Sequence, residues 1–127
     1  MPRFAILEHH WQGIHWDVLL ECGPTLRTWS VDEPIVVGRP IPARARADHR
    51  LIYLDYEGPI DGDRGHVHRV AAGIYSPRVW KPDHVEVELI GEPFRGQLEL
   101  IHRNSAAARG SAERPAVGWL LRLGNVD

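Results

Sequence analysis

Apolar and polar residues alternate with a period of two in many short segments of this 127-residue chain. Successive side chains of a β-strand point to opposite faces, so the alternation predicts strands with one buried face. Gly and Pro punctuate these segments, and no window carries apolar residues at helical spacing over ten or more positions. The predicted strands cover 3–9, 15–21, 25–31, 51–56, 66–72, 84–90, 97–102 and 117–123.

These strands predict an all-β fold. About eight short strands with turns between them favour a small antiparallel β-barrel, because closure protects the strand edges. Long irregular loops are predicted over 32–48 and 57–64, and a polar loop over 104–116. The length and the absence of linker-like composition predict a single domain over 1–127.

Composition excludes several classes of protein. A net charge of −2 and a pI of about 6.4 argue against a general nucleic-acid coat protein, but they suit an enzyme with a local basic patch. No segment approaches the roughly 18 apolar residues of a membrane span, and none resembles a signal peptide. The single cysteine, Cys22, allows no internal disulfide. Together these features predict a cytoplasmic protein without a membrane partner.

Residues 9–17, HHWQGIHWD, form a candidate metal site. If Trp16 faces the core, His15 and Asp17 project together from the opposite face, and a short connection places His9 beside them on a neighbouring strand. Two imidazoles and one carboxylate suit Mn²⁺, Zn²⁺ or Fe²⁺, with positions left for water or substrate. The alternative is a solvated strand surface that happens to be rich in histidine.

Residues 48–58, DHRLIYLDYEG, offer a second group of functional side chains. His49 and Tyr53 are four positions apart, so an extended segment places them on one face. The planar guanidinium groups of Arg44 and Arg46 match phosphate oxygens. Beside a metal, this set would suit a phosphoester, with the imidazole donating to a phosphate oxygen or to the leaving oxygen. The alternative is a core tyrosine next to a solvated arginine loop.

Alternation limits what Arg44 and Arg46 can reach. Each is separated from His49 by an odd number of positions, so a regular strand places both on the face opposite that histidine. A β-bulge between them and His49 would bring them to the same face.

Trp11 is a candidate for stacking on a nucleobase, because it lies in the connection between His9 and His15. Trp16 and Trp29 alternate with apolar residues and are expected in the barrel core instead.

Taken together, these stretches resemble the 3′-phosphoesterase domain family of bacterial DNA ligase D, and we expect a free-standing member. The resemblance runs in order over roughly residues 3–103, which makes it more specific than any single motif. It is carried by FAILEHHWQGIHWDVLLE (4–21), LRTWSV (26–31), DHRLIYLDYEG (48–58), GPIDGDRGHV (58–67), WKP (80–82) and IGEPFRGQLELIHR (90–103).

The resemblance implies a small β-barrel with Mn²⁺-dependent activity on nucleic-acid 3′ ends in DNA repair. A terminal ribonucleoside would be removed by phosphodiester cleavage, and the remaining 3′-phosphate as a monoester, on DNA or on an RNA/DNA primer–template. End-joining repair proteins are implied partners. Matched residue by residue, His9, His15 and Asp17 take the metal-ligand positions, while His49 and Tyr53 take the phosphate-contacting and accompanying positions.

The sequence departs from the family at Leu19. The family has an arginine there, two residues after the metal-binding aspartate, that helps to hold the phosphate. A second family arginine precedes the histidine, and Arg44 or Arg46 is the candidate for it. Two alternatives therefore stay open. The chain could be a catalytically weakened module that binds nucleic-acid ends or a repair partner, or a phosphoesterase acting on a small nucleotide.

Overall fold

A computed structural model describes residues 1–106 and 118–124, and strands dominate this part of the chain. This part contains no α-helix and has a 3₁₀ turn at Leu51–Leu54, and no helix there is long and apolar enough to cross a membrane. The strands are β1 Arg3–His10, β2 Ile14–Cys22, β3 Thr25–Val31, β4 Ile41–Arg50, β5 Gly58–Pro59, β6 His66–Lys81, β7 His84–Glu92, β8 Arg95–His102 and β9 Trp119–Gly124.

Eight of these strands close into an antiparallel ring. Their order is β1-β2-β3-β4-β9-β8-β7-β6, and β6 pairs again with β1, from Arg3 opposite Ile74 to His10 opposite His66. The short β5 adds to the start of β6. Because both sides of every ring strand are paired, closure removes the exposed edges. The predicted all-β, barrel-like architecture is confirmed.

Two predicted elements were wrong. Residues 51–56 form no strand, since the run LIYLDY lacks alternation and turns at Leu51–Leu54. Residues 41–48, predicted as irregular loop, belong to β4. Ala and Arg favour strands weakly, but pairing with β3 and β9 overrides that preference. Residues 107–116 of the predicted polar loop lie outside the described residues.

The inside of the ring is filled by one face of all eight ring strands. Trp29, the largest fully buried side chain, lies with its ring edge against Trp119 at 5.5 Å between centroids. Trp16 packs partly buried against this core, so both tryptophans expected in the core contact it. The remaining members are aliphatic side chains with Phe4 and Tyr75. Their burial stabilises the ring at roughly 25 cal/mol per Å² of apolar surface.

A second, smaller core lies on the outer face of β1, β2, β3 and the start of β6. The segment that follows β4 folds back over this face, with Leu54 fully packed and Tyr53, Tyr56 and Ile60 partly buried. Two-sided burial explains why these strands carry apolar residues on both faces. The segment also covers the end of the ring where the histidines lie. The strand residues of this outer core are Ala5, Leu7, Leu19, Leu26 and Val67.

Candidate metal and phosphate site

Strand register brings His9, His15 and Asp17 together. His9 lies directly opposite His15 across the β1–β2 hairpin, and Asp17 follows two positions later on the same face. One potential ligand atom from each residue lies within 4.8 Å of the others. The three predicted residues therefore lie close enough together to offer one donor set to a metal.

A backbone carbonyl fixes the orientation of the His9 ring. His9 Nε2 lies 2.8 Å from the Arg64 carbonyl oxygen, and a carbonyl only accepts, so Nε2 carries the proton. In the neutral ring, Nδ1 then has a free lone pair, and it faces His15 Nε2 at 3.2 Å. His15 Nε2 is in turn 3.3 Å from Asp17 Oδ1.

Asp17 is held by a buried hydroxyl. Its side chain is only 7% exposed, and Ser30 Oγ donates to Oδ1 at 2.5 Å. Ser30 lies opposite Asp17 in the β2–β3 register. Sequence reasoning missed this residue, although the hairpin turn after Cys22 fixes the register that pairs the two. The hydroxyl orients the carboxylate, as hydrogen bonds behind metal ligands commonly do.

Electrostatics keep His15 in its ligand form. Burial lowers the pKa of His15, and nearby His9 and Arg46 lower it further, against the opposing effect of Asp17. Neutral imidazole is the form that binds a metal.

The donor set fits a divalent cation. A lone pair of His9, the His15 imidazole and the Asp17 carboxylate each offer one ligand atom, and these atoms lie within 4.8 Å of one another. Nitrogen and oxygen donors of this kind accept Mn²⁺, Zn²⁺ or Fe²⁺.

A cavity of about 230 Å³ opens beside these three residues. It is large enough for a phosphoryl group and part of a sugar, and smaller than most ligand pockets. The cavity brings most of the predicted site residues together. Its lining residues are Leu7, His9, Trp11, His15, Asp17, Arg46, His49, Tyr53, Ile60, Arg64 and Val67.

His49 and Tyr53 meet at the cavity wall. Their rings pack edge to face at 5.8 Å between centroids. His49 Nδ1 donates to the Ala47 carbonyl oxygen at 3.0 Å. This leaves Nε2 as the ring atom available to a substrate.

A β-bulge places Arg46 in the cavity. Across β3, Leu26 pairs with His49 while Thr28 pairs with Arg46, so two residues of β4 face one residue of β3. Arg46 and His49 thereby share a face, which alternation alone does not allow. Arg44 instead forms a two-pronged ion pair with Asp32, at 2.6 and 3.1 Å, and is not part of the cavity lining.

Leu19 does not occupy the cavity. It is completely buried in the outer core and is absent from the lining, although it lies on the same side of β2 as Asp17. Trp11 lies at the cavity and is 39% exposed, with its ring stacked near His9 at 6.2 Å between centroids.

One other donor group occurs among residues 1–106 and 118–124. His84, Glu86 and Glu99 bring one ligand atom each within 4.8 Å on β7 and β8, away from β1 and β2 in the ring. Arg122 lies opposite Glu99 in the β8–β9 register. This group is the natural control for measurements of metal binding.

Comparison with known proteins gives two matches. The model of the family described as "DNA Ligase D 3′-phosphoesterase domain" matches residues 7–102. The multifunctional non-homologous end joining protein LigD of Pseudomonas aeruginosa is 27% identical over 114 residues. That match covers 80% of this chain and 13% of the relative, so the chain spans only a small part of that protein's length.

Proposed function

The chain belongs to the DNA ligase D 3′-phosphoesterase domain family, and we propose that it is a metal-dependent phosphoesterase that trims nucleic-acid 3′ ends. The observation that carries the proposal is the convergence of His9, His15 and Asp17 beside a cavity that also holds His49 and two arginines. Mn²⁺ is the proposed metal, and Zn²⁺ or another divalent transition metal would suit the same donors.

His9, His15 and Asp17 would hold the cation, which acts as a Lewis acid on a phosphoryl oxygen when bound. Hydrolysis forms a bond between a water oxygen and phosphorus and breaks the ester bond, so the leaving oxygen must gain a proton. His49 would supply it. Since Nδ1–H is engaged with Ala47, a protonated His49 donates from Nε2. Tyr53 packs against this ring and limits its rotation.

The proposed substrates are strands that end in a 3′-phosphate or a single ribonucleoside. Trp11, exposed at the cavity rim, would stack on the terminal base, a contact worth about 1–3 kcal/mol. Arg46 would pair with a phosphate oxygen. The name of the Pseudomonas relative suggests action in non-homologous end joining. We propose that setting, with end-joining proteins as partners and a cytoplasmic location, for this chain as well.

The size of the cavity favours a second candidate, a phosphoesterase acting on a small nucleotide. A volume of about 230 Å³ holds the reacting group but not a strand, which would have to lie across the rim. The same chemical groups would serve both substrates. Only the rim contacts, Trp11 above all, would lose their role.

A 3′-end assay tests the proposal and separates the two candidates. Metal-stripped protein is given Mn²⁺ and a labelled primer–template ending in a 3′-phosphate or in one ribonucleotide. Aryl phosphate mono- and diesters are tested as small substrates, and His49→Ala is assayed in parallel. Conversion of the primer to a 3′-hydroxyl, lost in His49→Ala, supports the first candidate. Turnover of small esters alone supports the second. Tight end binding without turnover of any ester would contradict both and favour a binding module.

A further inference from the structure

We propose that Arg64 binds the substrate phosphate through its guanidinium while its backbone carbonyl holds His9 in the metal-binding orientation. The inference rests on the proposed function and assigns a role to a residue outside the predicted site. Arg64 lies in the loop 60–65 that joins β5 to β6, and it lines the cavity.

The loop holds Arg64 in a defined place. Ile60 N–H donates to the Gly65 carbonyl at 2.9 Å, which closes the loop. Gly65 has a φ of +71° and lies so close to β1 that an added Cβ would be 1.7 Å from the His10 carbonyl oxygen. The loop is therefore pressed against the strand that carries His9.

The guanidinium is oriented but not neutralised. Arg64 Nε donates to the Asp61 carbonyl oxygen at 2.8 Å, which leaves the terminal nitrogens for another acceptor. Within the described ranges, neither Arg64 nor Arg46 has a carboxylate at ion-pair distance, whereas Arg44 is paired with Asp32.

The charge of the cavity suits a phosphate. The lining residues include two arginines, Arg46 and Arg64, and one carboxylate, Asp17, so their formal charge is positive even before a divalent cation is added. Charge-assisted bonds from a guanidinium to phosphate are stronger than neutral hydrogen bonds, and a fixed arginine loses little freedom on forming them. Arg64 and Arg46 would therefore share the oxygens of one phosphoryl group.

Arg64→Ala separates the two roles, because it removes the guanidinium and keeps the carbonyl. We expect Mn²⁺ affinity to stay within twofold of wild type, since His9 keeps its acceptor. Calorimetry with inorganic phosphate on the Mn²⁺-loaded protein should show binding weakened by about 10- to 100-fold. Arg39→Ala is the control, because that arginine is paired with Glu33 and does not line the cavity, and it should change phosphate affinity by less than threefold.

The outcomes separate this inference from the proposed function. Phosphate binding that is unchanged in Arg64→Ala, equally weakened in Arg39→Ala, or absent in the Mn²⁺-loaded wild type overturns the role of the guanidinium. A loss of Mn²⁺ affinity in Arg64→Ala overturns the division of roles. Because phosphate binding requires no turnover, a wild type that binds phosphate through Arg64 but processes no 3′ end would contradict only the proposed function.

Discussion

At the scale of single residues, the hydroxyl of Ser30 orients Asp17, a proposed metal ligand. It donates to Asp17 at 2.5 Å in a buried position. Ser30→Ala should lower Mn²⁺ affinity by about 10- to 100-fold, because the carboxylate loses the bond that orients it. Isothermal titration with Mn²⁺ measures the effect.

Thr28→Val is the matched control for this prediction. It removes a second buried hydroxyl from the same strand, one that donates to the Leu26 carbonyl instead of to a metal ligand. Equal losses of Mn²⁺ affinity in Ser30→Ala and Thr28→Val would show that general damage to β3, not the bond to Asp17, is responsible.

Leu19 illustrates how burial changes the meaning of a substitution. The family arginine at this position suggests a lost phosphate contact, but Leu19 is fully buried in the outer core. Leu19→Arg should therefore lower the free energy of unfolding by about 3–5 kcal/mol, as for an unpaired buried charge, and should not raise activity. Leu19→Met, which conserves volume, should lower the free energy of unfolding by less than about 1.5 kcal/mol.

Urea denaturation of the two Leu19 variants provides the measurement. A Leu19→Arg protein that is as stable as Leu19→Met and a faster phosphoesterase would mean that the side chain reaches the cavity after all.

At the scale of elements, the loop 60–65 links the start of β6 to His9 of β1, a proposed metal ligand. Gly65→Ala should displace this loop, since the new Cβ would overlap the His10 carbonyl. The expected results are a loss of about 2–3 kcal/mol in unfolding free energy, from backbone strain and the forced shift, and weaker Mn²⁺ binding because His9 loses the Arg64 carbonyl.

Gly38→Ala distinguishes the overlap from the strain of a positive φ. Gly38 has a φ of +84°, but nothing lies within 4 Å of an added Cβ. Gly38→Ala should lower the free energy of unfolding by about 1 kcal/mol and leave Mn²⁺ affinity unchanged. If Gly65→Ala behaves like Gly38→Ala in both measurements, the loop does not hold His9.

The sequence predicts the first hairpin of the site but not the bulge in β4 or the position of Arg64. The register of the first hairpin follows from alternation and a short turn, so His9, His15 and Asp17 were found from the sequence. The bulge in β4 depends on pairing with β3. The sequence therefore showed that Arg46 can share a face with His49 only if a bulge lies between them, but it did not show that the bulge exists. Arg64 lies in a loop without periodicity, and its contact with His9 arises only when β6 pairs with β1.

At the scale of the whole molecule, the inner core and the outer core have different roles. The inner core, formed by all eight ring strands, closes the ring, and the outer core fixes the segment that carries Tyr53 and covers the site. Period-two alternation predicts the ring, because each strand has one apolar face. It does not predict the outer core, whose covering segment 51–60 has no regular pattern.

The most direct test of the account is the metal dependence of 3′-phosphate removal in stripped wild type, His15→Ala and His84→Ala. We expect Mn²⁺ to restore activity to the wild type and to His84→Ala, whose donor group lies elsewhere on the ring. It should restore none to His15→Ala. Activity that survives in His15→Ala, or that is lost in His84→Ala, would contradict the assignment of the metal centre to His9, His15 and Asp17.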